Sequence, residues 1–273
     1  MTASHSLPAR RPELGKWLLW KLFHQSAALR PYLPMTAKLS PATFHEFTAR
    51  YPSVYLKPVA GARGRGVIRL WRTPQAARPI LIQLENRPVH RCSSWEEAYQ
   101  RYLAVSHGRP YIIQRDVGLL TAHGRAFDIR VMMQRDGRRE WQCTAVVAKI
   151  AGPRSAITNI ARSHGRVVTL AHALQSAGPQ RAAAHSAVEA QLRELGRLTV
   201  RQLETYQPYA EIGVDAGIDR HMRIWLLEAN TGPSHRLFQH MEDPSVYELV
   251  QKTTNARRRQ AGARGVKFRA ASR

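Results

Sequence analysis

Apolar and polar residues alternate through residues 211–230, and this pattern predicts two strands joined by a polar turn at residues 219–221. Successive side chains of a strand point to opposite faces, so Glu228 and Asn230 share one face of the second strand. If the turn folds the strands antiparallel, Asp215 lies roughly opposite Glu228. Like charges that face each other across strands destabilise a sheet, whereas Mg²⁺ takes oxygen ligands. The pattern therefore favours a cation between these side chains, and the alternative is an ordinary solvated hairpin face.

The same two periods, two residues for strands and 3.6 for helices, predict the other elements. Strands are predicted at residues 53–59, 66–71, 79–84, 110–114, 127–134 and 141–150. Helices are predicted at residues 13–28, after a Ser40 cap with Pro41 at the first position, from Ser93 or Ser94 as far as residue 105, at residues 181–206, and from Pro244 onward. Residues 152–165 have too little periodicity for a regular element, which predicts a long loop that carries Asn159.

A glycine-rich loop, residues 61–66 (GARGRG), joins the strands predicted at 53–59 and 66–71. Glycines let backbone N–H groups come close to phosphate oxygens. Lys57 on the incoming strand would point its ammonium group at the same phosphates. A strand follows the loop where a P-loop would have a helix, so the loop differs from that signature. The alternative is that these glycines only form a turn.

Every second residue of 127–134 is apolar, which predicts that those side chains face the core and that Asp128 and Arg130 share the other face. The Asp-Gly pair at residues 136–137 predicts a tight turn into the next strand, which carries Lys149. The simpler interpretation of Asp128 and Arg130 is a surface charge pair, which would contribute little stability.

Composition adds a preference for anionic partners. The chain has 273 residues, 44% of them hydrophobic, enough for one compact unit or two subdomains. Lysine and arginine number 42 against 19 aspartate and glutamate, and the net charge of +23 favours nucleotides, carboxylate or phosphorylated substrates, nucleic acid or acidic surfaces. Residues 252–273 hold eight Lys or Arg and no acid. Such a tail is usually disordered and solvated, so nucleic-acid binding through it is the less favoured alternative.

Cysteine usage and hydropathy bear on location. Cys92 and Cys143 are far apart and form no paired motif, which argues against a disulfide framework or a zinc site and predicts a reducing, cytoplasmic environment. No apolar run approaches the ~20 residues needed to span a bilayer, so we expect no membrane partner.

Taken in order, these features resemble the ATP-grasp superfamily: Lys57 with its glycine-rich loop, Asp128-Ile129-Arg130, Lys149, Thr158-Asn159, and Asp215 followed by Glu228-Ala229-Asn230. The stretch FDIRV…VVAKI…TNIARSHG resembles the ribosomal-protein-glutamate-ligase branch. A closer resemblance, to the endospore-coat-associated (YheC/YheD-type) ATP-grasp proteins, rests on YLKPVAGARGRGV, GRAFDIRVMMQ and LLEANTGPSHRLF. It covers about residues 30–250.

The resemblance implies an α+β fold in which two subdomains with antiparallel sheets grip ATP. It implies an N-terminal helix and lead-in at residues 1–30, an ATP-grasp domain at 31–250 and a basic tail at 251–273. Within the domain, about 50–115 would form the small ATP-binding subdomain and 116–250 the metal-binding and catalytic subdomain. The preATP-grasp domain found in many members is expected to be absent or vestigial.

The resemblance also implies three sets of site residues. The nucleotide set, for phosphates and hinge, is Lys57, Gly61, Arg63, Gly64, Arg65, Gly66, Ile113, Gln114 and Asp116. Residues 114–117 would be the hinge that offers backbone groups to a base, and a second phosphate lysine upstream would be Lys38. The ligands of Mg²⁺ or Mn²⁺ would be Asp215, Glu228 and Asn230. The catalytic set would be Arg130, Lys149 and Asn159.

The activity implied is ATP-dependent ligation of a carboxylate to an amine through an acyl phosphate. The acid would be a small molecule or a peptide. Two alternatives stay open: a phosphotransferase on the same fold, and a non-catalytic nucleotide-binding or structural protein of the spore coat. The second alternative would place the chain at the spore coat.

Overall fold

Two antiparallel sheets form the frame of the protein. The computed structural model describes residues 11–61, 64–73, 79–155, 158, 160 and 164–263. In chain order the elements are α1 (Lys16–Gln25), β1 (Thr36–Lys38), α2 (Pro41–Arg50), β2 (Ser53–Pro58), β3 (Ile68–Arg72), β4 (Ile80–Leu84), β5 (His90–Cys92), α3 (Trp95–Ser106), β6 (Tyr111–Arg115), β7 (Thr121–Ala122), β8 (Arg125–Arg135), β9 (Trp141–Ile150), β10 (Arg166–Thr169), α4 (Leu170–Ser176), α5 (Pro179–Ala183), α6 (His185–Glu204), β11 (Glu211–Ile218), β12 (Ile224–Asn230) and α7 (Ser245–Ala263).

The first sheet has the strand order β1-β6-β2-β3-β4-β5. Helices α2 and α3 cover one face and share a core with it, in which Phe44 and Tyr102 are buried. Helix α2 begins as predicted, because the Ser40 side chain accepts a hydrogen bond from the Thr43 N–H and Pro41 occupies the first turn. Short strands β1 and β5 were not predicted, since three residues are too few to display a period.

The second sheet has the order β10-β9-β8-β11-β12, with β7 paired to β8. The predicted alternation in β8 is confirmed: Ile129 and Val131 lie in the core that α6 and α1 cover. Met132, on the opposite face of β8, is also buried, in a smaller cluster with Phe238 and Val250. The sheet is therefore covered by helices on both faces over part of its area.

One predicted helix and one predicted domain boundary differ from the structure. The helix predicted at residues 181–206 is broken at Ala184, where α5 ends and α6 begins, because Gly178 and Pro179 start a separate short turn. Helix α7 runs to Ala263, so the boundary predicted between residues 250 and 251 falls inside it.

The expectation of a disordered, solvated tail is therefore wrong for residues 252–260, which lie in α7. Thr254 is 1% exposed and accepts a hydrogen bond from Gln134 Nε2 at 2.9 Å, and Arg257 donates to the Ala210 carbonyl at 2.8 Å. Lys252, Arg258 and Arg259 lie on the exposed outer side of a helix whose inner side packs on the sheet. Residues 264–273 lie outside the described part. None of the described helices has the length and apolarity required to cross a membrane.

Candidate functional site

A cavity of about 620 Å³ lies between the two sheets. The first sheet contributes Tyr55, Lys57, Arg69 and Gln114 to its lining, and the second contributes Asp128, Arg130, Lys149, Asp215, Glu228 and Asn230. Lys57 therefore lies across the cavity from the β11–β12 hairpin and from the charged face of β8, although these elements are far from Lys57 in sequence.

The β11–β12 hairpin places Asp215 directly opposite Glu228, as predicted. Arg130, the neighbour of Asp215 on β8, grips that carboxylate with two hydrogen bonds, Nε to Oδ1 at 2.9 Å and Nη2 to Oδ2 at 3.1 Å. Lys149 Nζ donates to Oδ1 at 2.7 Å, and Asn230 Nδ2 donates to Oδ2 at 2.7 Å. The strand pattern alone suggested no partner for the negative charge of Asp215. In the structure, Arg130 and Lys149 offset that charge.

Gly213 leaves room on β11 for the Arg130 side chain that binds Asp215. A Cβ atom on Gly213 would lie 3.0 Å from Arg130 Nη1 and 3.0 Å from the Cβ of Pro233. The absence of a side chain at this position therefore leaves the space that the guanidinium occupies.

The interpretation of Asp128 and Arg130 as a surface pair is wrong, because their exposed fractions are 6% and 9%. Asp128 accepts a hydrogen bond from Thr158 Oγ1 at 2.5 Å, and its Oδ1 lies 3.1 Å from Lys149 Nζ but accepts no hydrogen bond. The segment after β12 lines the same cavity as these two side chains, through Gly232, Pro233 and Leu237.

Burial and charge set the protonation of the two aspartates in opposite directions. Burial by itself raises the pKa of the Asp215 carboxyl, but the charges of Arg130 and Lys149 outweigh burial and hold that pKa far below its ordinary value. Burial raises the pKa of the Asp128 carboxyl, and the negative charge of Asp215 raises it further, while the positive charge of Lys149 lowers it by less than burial raises it. Asp215 is therefore the member of the pair that stays ionised to lower pH.

Asp215, Glu228 and Asn230 supply two carboxylates and an amide oxygen, which is the donor chemistry that Mg²⁺ prefers. Among the described residues, no group of three or more His, Cys, Asp or Glu stands in a metal-binding arrangement, so the set depends on Asn230. Glu228 has 32% of its side chain exposed against 11% for Asp215. The residues fit a hard cation, and Glu228 is the carboxylate most accessible to one.

Lys16 was missed by the sequence analysis. Its Nζ lies 3.1 Å from Glu228 Oε1 and donates to the Gly61 carbonyl at 2.7 Å, and its backbone N–H donates to the Val59 carbonyl. Lys38, by contrast, is exposed on β1 and does not line the cavity. Lys16 is the first residue of α1, and no local pattern distinguishes it from the other charged residues of that helix.

Lys57 lines the cavity as predicted, and its Nζ donates to Gln114 Oε1 at 2.6 Å. Burial lowers the pKa of the Lys57 ammonium, although the negative charge of Glu228 acts to raise it.

Besides the Lys16–Glu228 pair, a second polar contact joins the two halves of the molecule: Gln83 Nε2 on β4 donates to the Arg154 carbonyl at 2.6 Å. The cavity is therefore bridged by Lys16 and Glu228 and also by Gln83 and Arg154.

The glycine-rich loop divides into two parts. Gly64 and Arg65 line the cavity. Gly66 does not offer its N–H to a phosphate, because that N–H donates to Glu85 Oε1 at 2.6 Å. Its φ of +75° and a Cβ position 2.9 Å from Pro58 Cγ require glycine for backbone reasons. Arg63 and the catalytic candidate Asn159 lie outside the described residues.

Ile113 was predicted to be one of the nucleotide-binding hinge residues, and its position in the structure does not agree with that prediction. Ile113 is fully buried in the core of the first sheet, because side chains alternate along β6 and its neighbour Gln114 faces the cavity. The N–H groups of Arg115 and Asp116 donate to the Met35 and Ser53 carbonyls, so neither is available to a base.

Asp116 lines the cavity, but its carboxylate is already engaged. Oδ2 accepts hydrogen bonds from Ser53 Oγ at 2.7 Å and from Arg69 Nε at 3.1 Å, and Oδ1 accepts one from the Gly118 N–H. Arg115 stacks its guanidinium over Trp225 of β12, with the ring centroid 4.9 Å away.

Two antiparallel sheets that close on one cavity, with Lys57 on one side and the Asp215–Glu228–Asn230 hairpin on the other, define an ATP-grasp protein. Within that class, the chain belongs to the YheC/D-like ATP-grasp family, whose family model matches residues 10–255. The matched range extends beyond the resemblance seen in the sequence and includes Lys16.

Known proteins agree with this assignment. The chain is 28% identical over 244 residues to the endospore coat-associated protein YheD of Bacillus subtilis (strain 168), a match that covers 87% of this chain and 52% of YheD. It is 21% identical over 222 residues to YheC of the same strain, covering 81% of this chain and 60% of YheC. The chain thus spans between half and two thirds of the length of these relatives.

Among solved structures, the D-alanine-D-alanine ligase from Coxiella burnetii matches with a TM-score of 0.53 at 10% identity, covering 93% of this chain and 59% of the ligase chain. At this identity the match shows a common fold and nothing about the substrate.

Proposed function

We propose that the protein is an ATP- and Mg²⁺-dependent ligase that joins a carboxylate to an amine through an acyl phosphate. The observation that carries the proposal is the arrangement around Asp215, which is ionised, gripped by Arg130 and Lys149, and opposite Glu228 at one side of a cavity whose other side presents Lys16 and Lys57. Buried charge of both signs is costly to maintain, so its concentration at a cavity favours a catalytic purpose.

The nucleotide would lie between the sheets. Lys16, Lys57 and the loop residues Gly64 and Arg65 would hold its phosphates, since all four line the same cavity. Glu228 and Asp215, with the amide oxygen of Asn230, would hold Mg²⁺ or Mn²⁺. The metal, when bound, neutralises charge on the triphosphate and so makes the γ-phosphoryl group easier to attack.

In the first step a carboxylate oxygen of the substrate attacks the γ-phosphorus, the bond from that phosphorus to the bridging oxygen breaks, and ADP leaves. In the second step the amine nitrogen attacks the carbonyl carbon of the acyl phosphate, phosphate leaves with its electron pair, and the amine loses a proton. Arg130 would stabilise the oxygens of the transferring phosphoryl group, where charge is redistributed. Lys149 would hold Asp215 in place while this happens.

Trapping by hydroxylamine tests the proposal. Hydroxylamine attacks an acyl phosphate to give a hydroxamate and free phosphate, so it replaces an unknown amine. We expect an acid from a screened panel to form its hydroxamate only when ATP and Mg²⁺ are both present. A stable phosphorylated acceptor, with no hydroxamate from any acid, would identify a phosphotransferase and contradict the ligase.

Association with the spore coat is a separate part of the proposal, and it is supported by the names of the two Bacillus subtilis relatives alone. Immunoblots of coat extracts and of cytosol from sporulating cells of the source organism would test it. Protein confined to the cytosol at every stage would contradict it.

A further inference from the structure

The cavity carries more positive charge than a nucleotide would use. Among the described residues that line it are eight Lys or Arg side chains against four Asp or Glu. A fully ionised triphosphate with two Mg²⁺ ions is about electrically neutral and therefore leaves an excess of four cations. One substrate carboxylate would offset only one of them.

The lining acids are all engaged by cations of the protein. Asp215 binds Arg130 and Lys149, Asp128 also lies beside Lys149, and the two remaining pairs are Asp116 with Arg69 and Glu228 with Lys16. The lining cations without a carboxylate partner in the described part of the chain are Lys57, Arg65, Arg115 and Arg236.

Three of these four have another role. Lys57 and Arg65 are proposed to hold phosphates, and Arg115 is stacked over Trp225. Arg236 is different, because neither the proposed nucleotide site nor any acid or aromatic ring of the described residues accounts for it. Arg236 is an exposed residue that lines the cavity, in the segment that follows β12.

The backbone that carries Arg236 is held on both sides. His235 Nε2 lies 3.1 Å from Glu211 Oε2, and Phe238 is fully buried. The Arg236 N–H donates to Ser234 Oγ at 3.4 Å at the start of the 3-10 turn His235–His240. Anchored neighbours fix where the side chain of Arg236 begins, so less freedom is lost when it binds a ligand.

We propose that Arg236 binds a second anionic group on the carboxylate substrate, so that the acid is a dicarboxylate or tricarboxylate, either free or at the acidic end of a peptide. The inference rests on the proposed function, since it places a reacting carboxylate near Arg130 and a second anion at Arg236. A guanidinium binds a carboxylate through two parallel hydrogen bonds, which gives selectivity as well as affinity.

Calorimetry with a series of related acids tests the inference. Butyrate, glutarate and tricarballylate carry one, two and three carboxylates on similar carbon chains, and each would be titrated into the full chain with ADP and Mg²⁺ present. We expect glutarate to bind at least about tenfold more tightly than butyrate, which is the effect of one charge-assisted contact. The substitution Arg236→Gln should remove most of that difference and leave butyrate little changed.

Arg201→Gln is the matched control. Arg201 is an exposed arginine of α6 that does not line the cavity, and its loss removes the same net charge. An equal loss of glutarate affinity in both variants would mean general charge attraction and would overturn the inference. Failure of glutarate to bind, or equal binding of glutarate and butyrate, would overturn it as well. Thermal melts of both variants check that each is folded.

Two further experiments are needed. One distinguishes a peptide terminus from a free acid as the ligand, and the other distinguishes the role of Arg236 from the ligase activity. A short peptide that ends in two glutamates, titrated in the same way, tells whether a chain terminus or a free acid binds more tightly. If monocarboxylates form hydroxamates as readily as dicarboxylates, the ligase stands and the role of Arg236 falls. If glutarate binds through Arg236 but no acid yields a hydroxamate, the anion site stands and the ligase falls.

Discussion

Lys16 and Glu228 form an ion pair, 3.1 Å from Nζ to Oε1, that connects the first residue of α1 to the second strand of the hairpin. Lys16 also donates to the carbonyl of Gly61 in the glycine-rich loop. One ammonium group therefore touches both the carboxylate proposed to bind metal and the loop proposed to bind phosphates.

Lys16→Ala should weaken ATP binding about 10- to 100-fold, as expected when one charge-assisted contact is lost. Calorimetry in the presence of Mg²⁺ measures the effect. Lys21→Ala is the control, because Lys21 is an exposed lysine of the same helix and does not line the cavity. Equal affinities of the two variants would exclude Lys16 from the nucleotide site.

Removal of the metal should abolish ATP binding. With Mg²⁺ chelated, the oxygens of Asp215, Glu228 and Asn230 would have no cation through which to bind the triphosphate, so the hairpin would lose its contact with the nucleotide. Calorimetry with and without EDTA, followed by Mn²⁺ in place of Mg²⁺, gives the comparison. Affinity unchanged by EDTA would contradict the assignment of the hairpin as the metal site.

Arg130→Ala should lower kcat by about 10²–10³, the loss seen when one donor to a transition-state oxyanion is removed. ATP affinity should change far less, because interactions made mainly in the transition state appear in kcat. Hydroxamate formation under saturating ATP measures kcat, and Arg201→Ala is the control. If Arg130→Ala loses ATP binding as completely as Glu228→Ala, Arg130 binds the nucleotide in the ground state.

The same substitution should also lower stability, which the sequence did not predict. The sequence allowed a surface charge pair at Arg130, which would contribute little stability. Arg130 is 9% exposed and makes two hydrogen bonds to Asp215, so its removal breaks a buried ion pair, typically at a cost of about 3–5 kcal/mol. Chemical unfolding at neutral pH measures this cost, and the control is again Arg201→Ala.

Asp215 should make the protein sensitive to acid. Its pKa in the folded state lies below the value of about 3.9 expected in the unfolded chain. The unfolded state therefore binds the proton first, and the stabilisation present above about pH 4 is lost as the pH falls further. Unfolding free energies between pH 3 and 6 should show a weaker acid-side decline in Asp215→Asn than in the original protein. Parallel declines would mean that Asp215 is not the group responsible.

Truncation after Gln251 should destabilise the protein without removing the nucleotide site. It deletes Thr254 and Arg257, and loss of a partner from buried Gln134 alone costs about 1–3 kcal/mol. No described residue of 252–263 lines the cavity, so the folded fraction should keep its ATP affinity. Truncation after Ala263 is the control and should leave stability unchanged. Loss of ATP binding by a folded Gln251 truncation would place this segment in the site.

Local periodicity was sufficient for the parts of the site that lie within one element. The opposition of Asp215 and Glu228 follows from strand alternation and one turn, and the sharing of a face by Asp128 and Arg130 follows from alternation alone. Whether that face was solvated depended on Lys149, Asp215 and the segment after β12, which are remote in sequence, so the burial of both residues was not predicted.

Contacts between residues that are remote in sequence could not be predicted from the local pattern of apolar and polar residues. Lys16 meets Glu228 only because α1 packs on the second sheet while its first residue bonds to Val59 of the first. The N–H of Gly66 is taken by Glu85, which a glycine pattern cannot reveal. Ile113 was misplaced for a simpler reason: it was grouped with its neighbour Gln114, although adjacent residues of a strand face opposite ways.

The contacts that connect the two sheets beside the cavity have a kinetic consequence: Lys16 contacts both Gly61 and Glu228, Gln83 donates to the Arg154 carbonyl, and Arg115 stacks over Trp225. A molecule as large as a nucleotide enters more easily when the sheets separate, and separation breaks these connections. Admission would then be governed by an internal opening equilibrium, and the observed association rate would level off at high ligand concentration instead of rising without limit. The maximum rate of nucleotide binding would then be the rate at which the protein itself opens.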